Sequence, residues 1–171
     1  MPRPVVIVPY DPEWPQIYEE ERKLIQGTVG GIIHSVEHVG STSVPGLWAK
    51  PIIDIIAGVD GPDDAERCRE LLLNIGYDDV SPGVFPDWYY CLGKGPHSPG
   101  FHLHLVKEGS PHHQKHITFR DWLRAHPADA DAYRDLKIDL SERYRNDRVA
   151  YTESKTAFIN GIVEKAKKSR A

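Results

Sequence analysis

Hydrophobic residues in the first two thirds of the chain alternate or cluster in short runs; in the last third they recur every three or four positions. Trp14, Ile17, Tyr18, Leu24 and Ile25 fall at helical spacing within 11–29, and Gly30-Gly31 ends that stretch. Residues 32–39 are β-rich and run into the turn cluster Gly40-Ser41-Thr42-Ser43. Residues 51–59 are almost continuously apolar, the pattern of a strand covered on both faces, with Asp54 in the middle. A helix is predicted over 62–75. Pro62 lies in its first turn, acidic residues at its positive end, Ala65, Cys68, Leu72 and Ile75 on one side, and Gly76 at its end. Residues 77–80, 88–92 and 101–107 read as strands separated by turns rich in Gly and Pro, and 5–8 as a short strand closed by Pro9. Beyond Gly109 the period is helical: 116–126, halted by Pro127, then 127–144 and 151–167. The pattern predicts one α/β (α+β) domain over 1–171, with a mixed sheet in 1–109 and a helical segment in 110–171.

Composition agrees with one folded unit. The chain has 171 residues, 40 % hydrophobic and 27 % charged, enough to bury a core and ordinary for a globular domain. A formal net charge of -4 gives no general attraction to nucleic acid or anionic membrane. The basic residues from Lys115 to Arg148 are interleaved with Asp and Glu, so they read as solvated helix faces. Two cysteines, Cys68 and Cys91, make no disulfide framework and lack metal-ligand spacing. No stretch has the length of a membrane span, and Pro2, Pro4 and Pro9 interrupt the N-terminus; a cytoplasmic location follows by elimination.

Two features carry chemistry. The segment Gly40-Ser41-Thr42-Ser43 leaves a strand through small residues, a turn in which amides and hydroxyls can converge on an anion. Thirteen residues after Ser41 comes Asp54 among Ile52, Ile53, Ile55 and Ile56. A carboxylate in so apolar a strand is costly unless it faces a cleft, a metal or a cation, and Lys50 is the nearest candidate partner. A structural Asp bound to a backbone amide is the competing reading. The second feature is 101–106, where alternation puts His102 and His104 on one face and Leu103 and Leu105 on the other. Such a pair can ligate one metal or donate to a phosphate, or can simply face solvent. Arg120 and Arg124, one helical turn apart, could reach a phosphate, although salt bridges to nearby Asp are commoner. His38 stands beside the turn, to orient it or to join the site. His112, His113 and His116 mark a loop-to-helix junction where the i, i+3 pair could bind metal, although solvated polar residues are the commoner outcome.

The segments EHVGSTSVPGLWAKPIIDI, FHLHLV, FRDWLRAHP, AYRDLK with its Tyr133–Lys137 spacing, and YTESKTAFI together resemble the GrpB family, in order along most of the chain. The resemblance implies a nucleotidyltransferase-like fold, similar to a domain fused to dephospho-CoA kinase in some bacteria. It implies that Gly40 and Ser41 hold phosphates and that Asp54 is the first carboxylate of an Asp-x-Asp/Glu pair. The second position is Ile56, and the later strand offers His102 and His104 instead of a third carboxylate. Lys137 and Lys155 match the family pattern and are expected to line the same cleft. Three models follow. Asp54, His102 and His104 hold one divalent metal softer than magnesium, such as Zn²⁺ or Mn²⁺; or a single Mg²⁺ sits on Asp54 while a histidine moves protons; or no metal binds. The implied function is phosphoryl or nucleotidyl transfer, or hydrolysis, on a small nucleotide-like phosphorylated ligand. The alternative is a non-catalytic module that binds a phosphorylated metabolite or a partner protein.

Overall fold

The computed structural model describes residues 3–80, 88–95 and 99–171. Five strands form one mixed sheet: β1 (Ser35–Val39), β2 (Ile52–Val59), β3 (Tyr77–Asp79), β4 (Trp88–Lys94) and β5 (Gly100–Lys107), in the spatial order β1-β2-β5-β4-β3. Among the described residues, the β2–β5 pair is the one parallel pairing. The helices are α1 (Trp14–Val29), α2 (Pro62–Leu73), α3 (Pro111–Ala125), α4 (Pro127–Arg143), α5 (Arg148–Ser154) and α6 (Thr156–Ser169). The Gly- and Pro-rich turns expected on either side of 88–92 fall at 81–87 and 96–98, outside the described residues.

Strand alternation sorts β2 and β5 into two faces. Ile53, Ile55, Ala57, Leu103 and Leu105 form the main core with Trp14, Ile25 and Val29 of α1 and Ala65, Cys68 and Leu72 of α2. Each such aliphatic side chain contributes roughly 1.5–3 kcal/mol by leaving water. The opposite face carries Ile56 and Val106, packed with Val39 and Ile117 of α3. Phe119 and Leu123 of α3 join Tyr133 of α4 and Ile162 and Val163 of α6 in a second cluster. The register pairs Asp54 with His102, Ile56 with His104, and Val39 with Asp54. Directly paired residues share a face, so Asp54, His102 and His104 all turn toward the helical layer.

Helix α1 and strand β1 each start three residues later than the sequence pattern suggests, at Trp14 and Ser35, and three further departures have clear physical causes. Residues 5–8 form no strand; Val8 makes a single bridge to Ala49, because Pro4 and Pro9 withhold amides that a ladder needs. Helix α3 begins at Pro111, five residues before the expected start. Ser110 caps it by accepting from the His113 amide at 3.3 Å, and Pro111 takes the first position. Replacing Ser110 with alanine is expected to cost about 1 kcal/mol, seen as a lower urea midpoint with an unchanged m-value. The expected helix over 151–167 is two helices. Asp147 starts α5 early by accepting from the Ala150 amide at 3.0 Å, and Lys155 separates α5 from α6. Among the described residues, no helix is long and apolar enough to cross a membrane.

Candidate functional site

The site begins where β1 ends. The chain turns at Gly40, with φ 72° and ψ -174°, and a side chain there would bring a Cβ to 2.5 Å from Asp54 Oδ2. Glycine is therefore required twice, by the positive φ and by the carboxylate lying against the turn. Residues Ser41–Ser43 form one 3₁₀ turn fastened from several sides. Ser43 Oγ donates to the Gly40 carbonyl at 2.5 Å, Arg124 Nε donates to the Ser43 carbonyl at 2.9 Å, and Lys137 Nζ donates to Ser41 Oγ at 2.8 Å. His38 Nε2 lies 2.9 Å from Thr42 Oγ1, and its ring stacks on Tyr18 at 4.7 Å. Burial pushes the His38 imidazole down to about 4, so the turn rests on a neutral ring near pH 7.

Asp54 is the acidic centre. Its side chain is 30 % exposed, and Oδ1 lies 3.7 Å from His102 Nδ1 and 3.9 Å from His104 Nε2, both beyond hydrogen-bond length. Burial pushes the carboxyl up, but His104, His102 and Lys50 outweigh that effect and hold it below its ordinary value, so Asp54 is ionised near pH 7. Burial pushes His102 down, with Asp54 opposing. On the far side of His104 stand His112 and His116 of α3, with their Nε2 atoms 3.2 Å apart. Burial, then His104 and His112, bring the His116 imidazole down to about 3.

Lysines face this carboxylate across the cleft. Lys137, only 2 % exposed, donates to Ser41 Oγ and to the Trp48 carbonyl, and its Nζ lies 4.7 Å from the Tyr133 ring centroid. Burial, aided by Lys155 and Lys50, drives its pKa down to about 6. Lys155 lies 4.5 Å and Lys50 5.3 Å from the Tyr151 ring centroid. Burial, then Lys50, bring Lys155 down to about 8, and burial also lowers Lys50. The Tyr151 hydroxyl is buried without a hydrogen-bond partner among the described residues, a polar atom facing a demand for one. Together these groups enclose a cleft of about 390 Å³.

Of the residues singled out in the sequence, Gly40, Ser41, Thr42, Lys50, Asp54, His102, His104, Lys137 and Lys155 line this cleft. Four others sit behind it and support it. Ser43 closes the turn, and His38 and Arg124 fasten it. Arg120 is buried between Glu37, the His38 carbonyl and Asp121 rather than aimed at a ligand. Lys50 makes no ion pair with Asp54 within 4 Å among the described residues. Sequence reasoning did not single out Lys115, Tyr133 or Tyr151 as lining groups, and it set His112 and His116 aside. The signal for the two histidines was the Ser110-Pro111 helix start, which puts positions 112 and 116 on one side of α3. His113 points away and accepts from the Gly109 amide at 3.1 Å.

The donor set does not fit a pair of magnesium ions. Such a pair needs shared carboxylates, whereas position 56 is a fully buried isoleucine and the later strand offers imidazoles.

These features define a mixed-sheet α/β protein with a lysine-lined cleft around one aspartate. A family model described as GrpB protein matches residues 4–165. The chain belongs to the GrpB family. The UPF0157 protein of Halalkalibacterium halodurans is 36 % identical over 163 residues, covering 95 % of this chain and 82 % of that protein. The crystal structure of GrpB from Enterococcus faecalis is similar with a TM-score of 0.86 and 31 % identity, covering 96 % of this chain and 99 % of that one. Dephospho-CoA kinase of Mycobacterium tuberculosis is 27 % identical over 190 residues; the match covers 95 % of this chain and 46 % of that protein.

Proposed function

We propose that the cleft binds a small phosphorylated, nucleotide-like ligand and acts on its phosphate by group transfer or hydrolysis. One observation carries this reading: the described lining residues include Lys50, Lys115, Lys137 and Lys155 but a single carboxylate, Asp54. Lysines held out of water need a counter-charge to keep their protons, and burial without one lowers their pKa values. A phosphate or diphosphate supplies it. The volume lies within the range of small-molecule sites, and Phe119, Tyr133, Tyr151 and Ile159 offer an apolar wall for the remainder of the ligand. The similarity to part of a protein named dephospho-CoA kinase supports the nucleotide-like class. The small-residue turn running from β1 toward β2 supports the nucleotidyltransferase-like comparison, although the carboxylate pattern departs from it. A cytoplasmic setting belongs to the same reading, since Cys68 and Cys91 are not joined in a disulfide.

In this mechanism the lysines bind and orient the phosphate and neutralise the charge that builds on its oxygens. Asp54, ionised and beside His102, accepts the proton of the attacking hydroxyl as its oxygen bonds to phosphorus and the leaving oxygen departs. The test is calorimetric titration with pyrophosphate and ADP, with turnover followed by phosphate release. Lys137→Met and Lys155→Met are expected to weaken binding about 10- to 100-fold each, the size of a lost charge-assisted hydrogen bond. Asp54→Asn should keep binding and abolish turnover. Equal affinity in wild type and both lysine variants rejects the phosphate site. Binding without turnover in wild type, across a panel of phosphorylated compounds, leaves a binding module.

A further inference from the structure

We propose that His104, His112 and His116 form a binding site for one first-row transition-metal cation of the Zn²⁺ class, set in the wall of the cleft. Each residue offers one ring nitrogen, and the three nitrogens all lie within 4.8 Å of one another. It is the one group of three or more potential ligands that meets this spacing among the described residues. Asp54, His102 and His104, the set suggested by the sequence, do not meet it.

The geometry is that of ligands converging on a small ion. A tetrahedral zinc site with Zn–N bonds of about 2.0–2.1 Å sets neighbouring nitrogens about 3.4 Å apart. The His112 and His116 Nε2 atoms are already 3.2 Å apart, and the His104 ring centroid lies 5.3 Å from that of His116 and 6.2 Å from that of His112. His112 and His116 are one turn apart on α3, a rigid helix whose start is fixed by Ser110 and Pro111, while His104 comes from the sheet. Ligands on regular elements keep their positions better than ligands on loops. Trp88 lies over His112 with ring centroids 5.7 Å apart and planes inclined by 23°, restricting that ring's rotation.

The donor type selects the metal. Three imidazoles suit Zn²⁺, Co²⁺ or Ni²⁺, whereas Mg²⁺ and Ca²⁺ require oxygen ligands. Three protein ligands leave a further coordination position, the arrangement of catalytic rather than structural sites. All three histidines line the cleft, and Asp54 Oδ1 is 3.9 Å from His104 Nε2, so a cation here adjoins the proposed phosphate position. A cation held by His104, His112 and His116 would supply Lewis-acid polarisation of a phosphoryl oxygen. Metal binding itself stands on the three histidines alone; only its part in the chemistry rests on the phosphate reading.

The test uses the whole chain, freed of metal by a chelator and transferred to phosphate-free buffer. It is titrated with Zn²⁺ by calorimetry and with Co²⁺ by visible absorption. One ion per chain is expected, with intense d–d bands of low-coordinate Co²⁺ and no competition from a large excess of Mg²⁺. His112→Ala and His116→Ala should each weaken Zn²⁺ binding about 100-fold or more, and His102→Ala should leave it within about threefold. Circular dichroism and pyrophosphate affinity of the metal-free variants show whether each remains folded. The proposal is overturned if folded His116→Ala binds Zn²⁺ like wild type, if wild type binds none, or if His102→Ala rather than His116→Ala abolishes binding. Loss of pyrophosphate binding in wild type with Zn²⁺ binding intact defeats the phosphate reading alone.

Discussion

Gly40→Ala is expected to destabilise the protein by about 3 kcal/mol and to disable the cleft in the same step. Two costs combine. An alanine at φ 72° carries a backbone penalty of roughly 1–2 kcal/mol. Its Cβ would also stand 2.5 Å from Asp54 Oδ2 and 3.0 Å from Asp54 Cβ, and overfilling a tight contact costs roughly 1–3 kcal/mol. The carboxylate yields by leaving its place beside His102 and His104, so the proposed proton acceptor is lost with the contact. Gly46 separates the two costs. It too has a positive φ, 82°, but a Cβ there meets nothing within 4 Å. Gly46→Ala should therefore show the backbone penalty alone and keep pyrophosphate affinity. Urea unfolding of both variants checks the argument, and equal destabilisation by the two substitutions would remove the claim that Asp54 packs against the turn.

The stability of the ligand-free protein should rise between pH 7 and pH 9, against the usual flat maximum. Lys137 has a pKa of about 6 when folded and an ordinary value of 10.5 when unfolded. Below about pH 6 both states hold the proton. Between about 6 and 10.5 the unfolded chain holds a proton that the folded one lacks, so raising the pH favours folding. The slope from one such group is at most about 1.4 kcal/mol per pH unit, and Lys155, folded value about 8, adds its share above that pH. Lys137→Met should flatten the rise between pH 7 and 8, where Lys155 contributes least. A polyanionic ligand restores the charged form, so pyrophosphate binding near pH 7.5 should take up protons. Calorimetry in buffers of different ionisation enthalpy measures that uptake. A pH-independent stability from 7 to 9, or a Lys137→Met slope equal to wild type, would mean that Lys137 stays charged inside the fold.

The parts of the site written in local pattern were legible in the sequence, and the parts made by tertiary pairing were not. Alternation alone put His102 and His104 opposite Leu103 and Leu105, and the two leucines are buried in the core. The small-residue turn and the lone aspartate in an isoleucine run were equally visible. Their meeting depends on the parallel β2–β5 register, which pairs Asp54 with His102 across 47 intervening positions and leaves no short-range mark. Lys137 shows the opposite problem. A lysine on a helix reads as solvent-facing, and only the stacking of α4 over the turn makes it one of the most enclosed side chains. The relation between His112 and His116 is set by the Ser110-Pro111 helix start, a local signal that the apolar period beginning at 116 masks. The strand expected at 5–8 failed because apolar character outweighed the missing proline amides.

The parallel pairing of β2 with β5 also orders events during synthesis. The intervening α2, β3 and β4 must all leave the ribosome before the two strands can meet, and α3 to α6 emerge last. Until the C-terminal helices are made, Asp54 lacks its cleft partners Lys137 and Lys155. On the proposed phosphate reading, a chain stalled before residue 137 would lack two of the lysines that balance the ligand's charge.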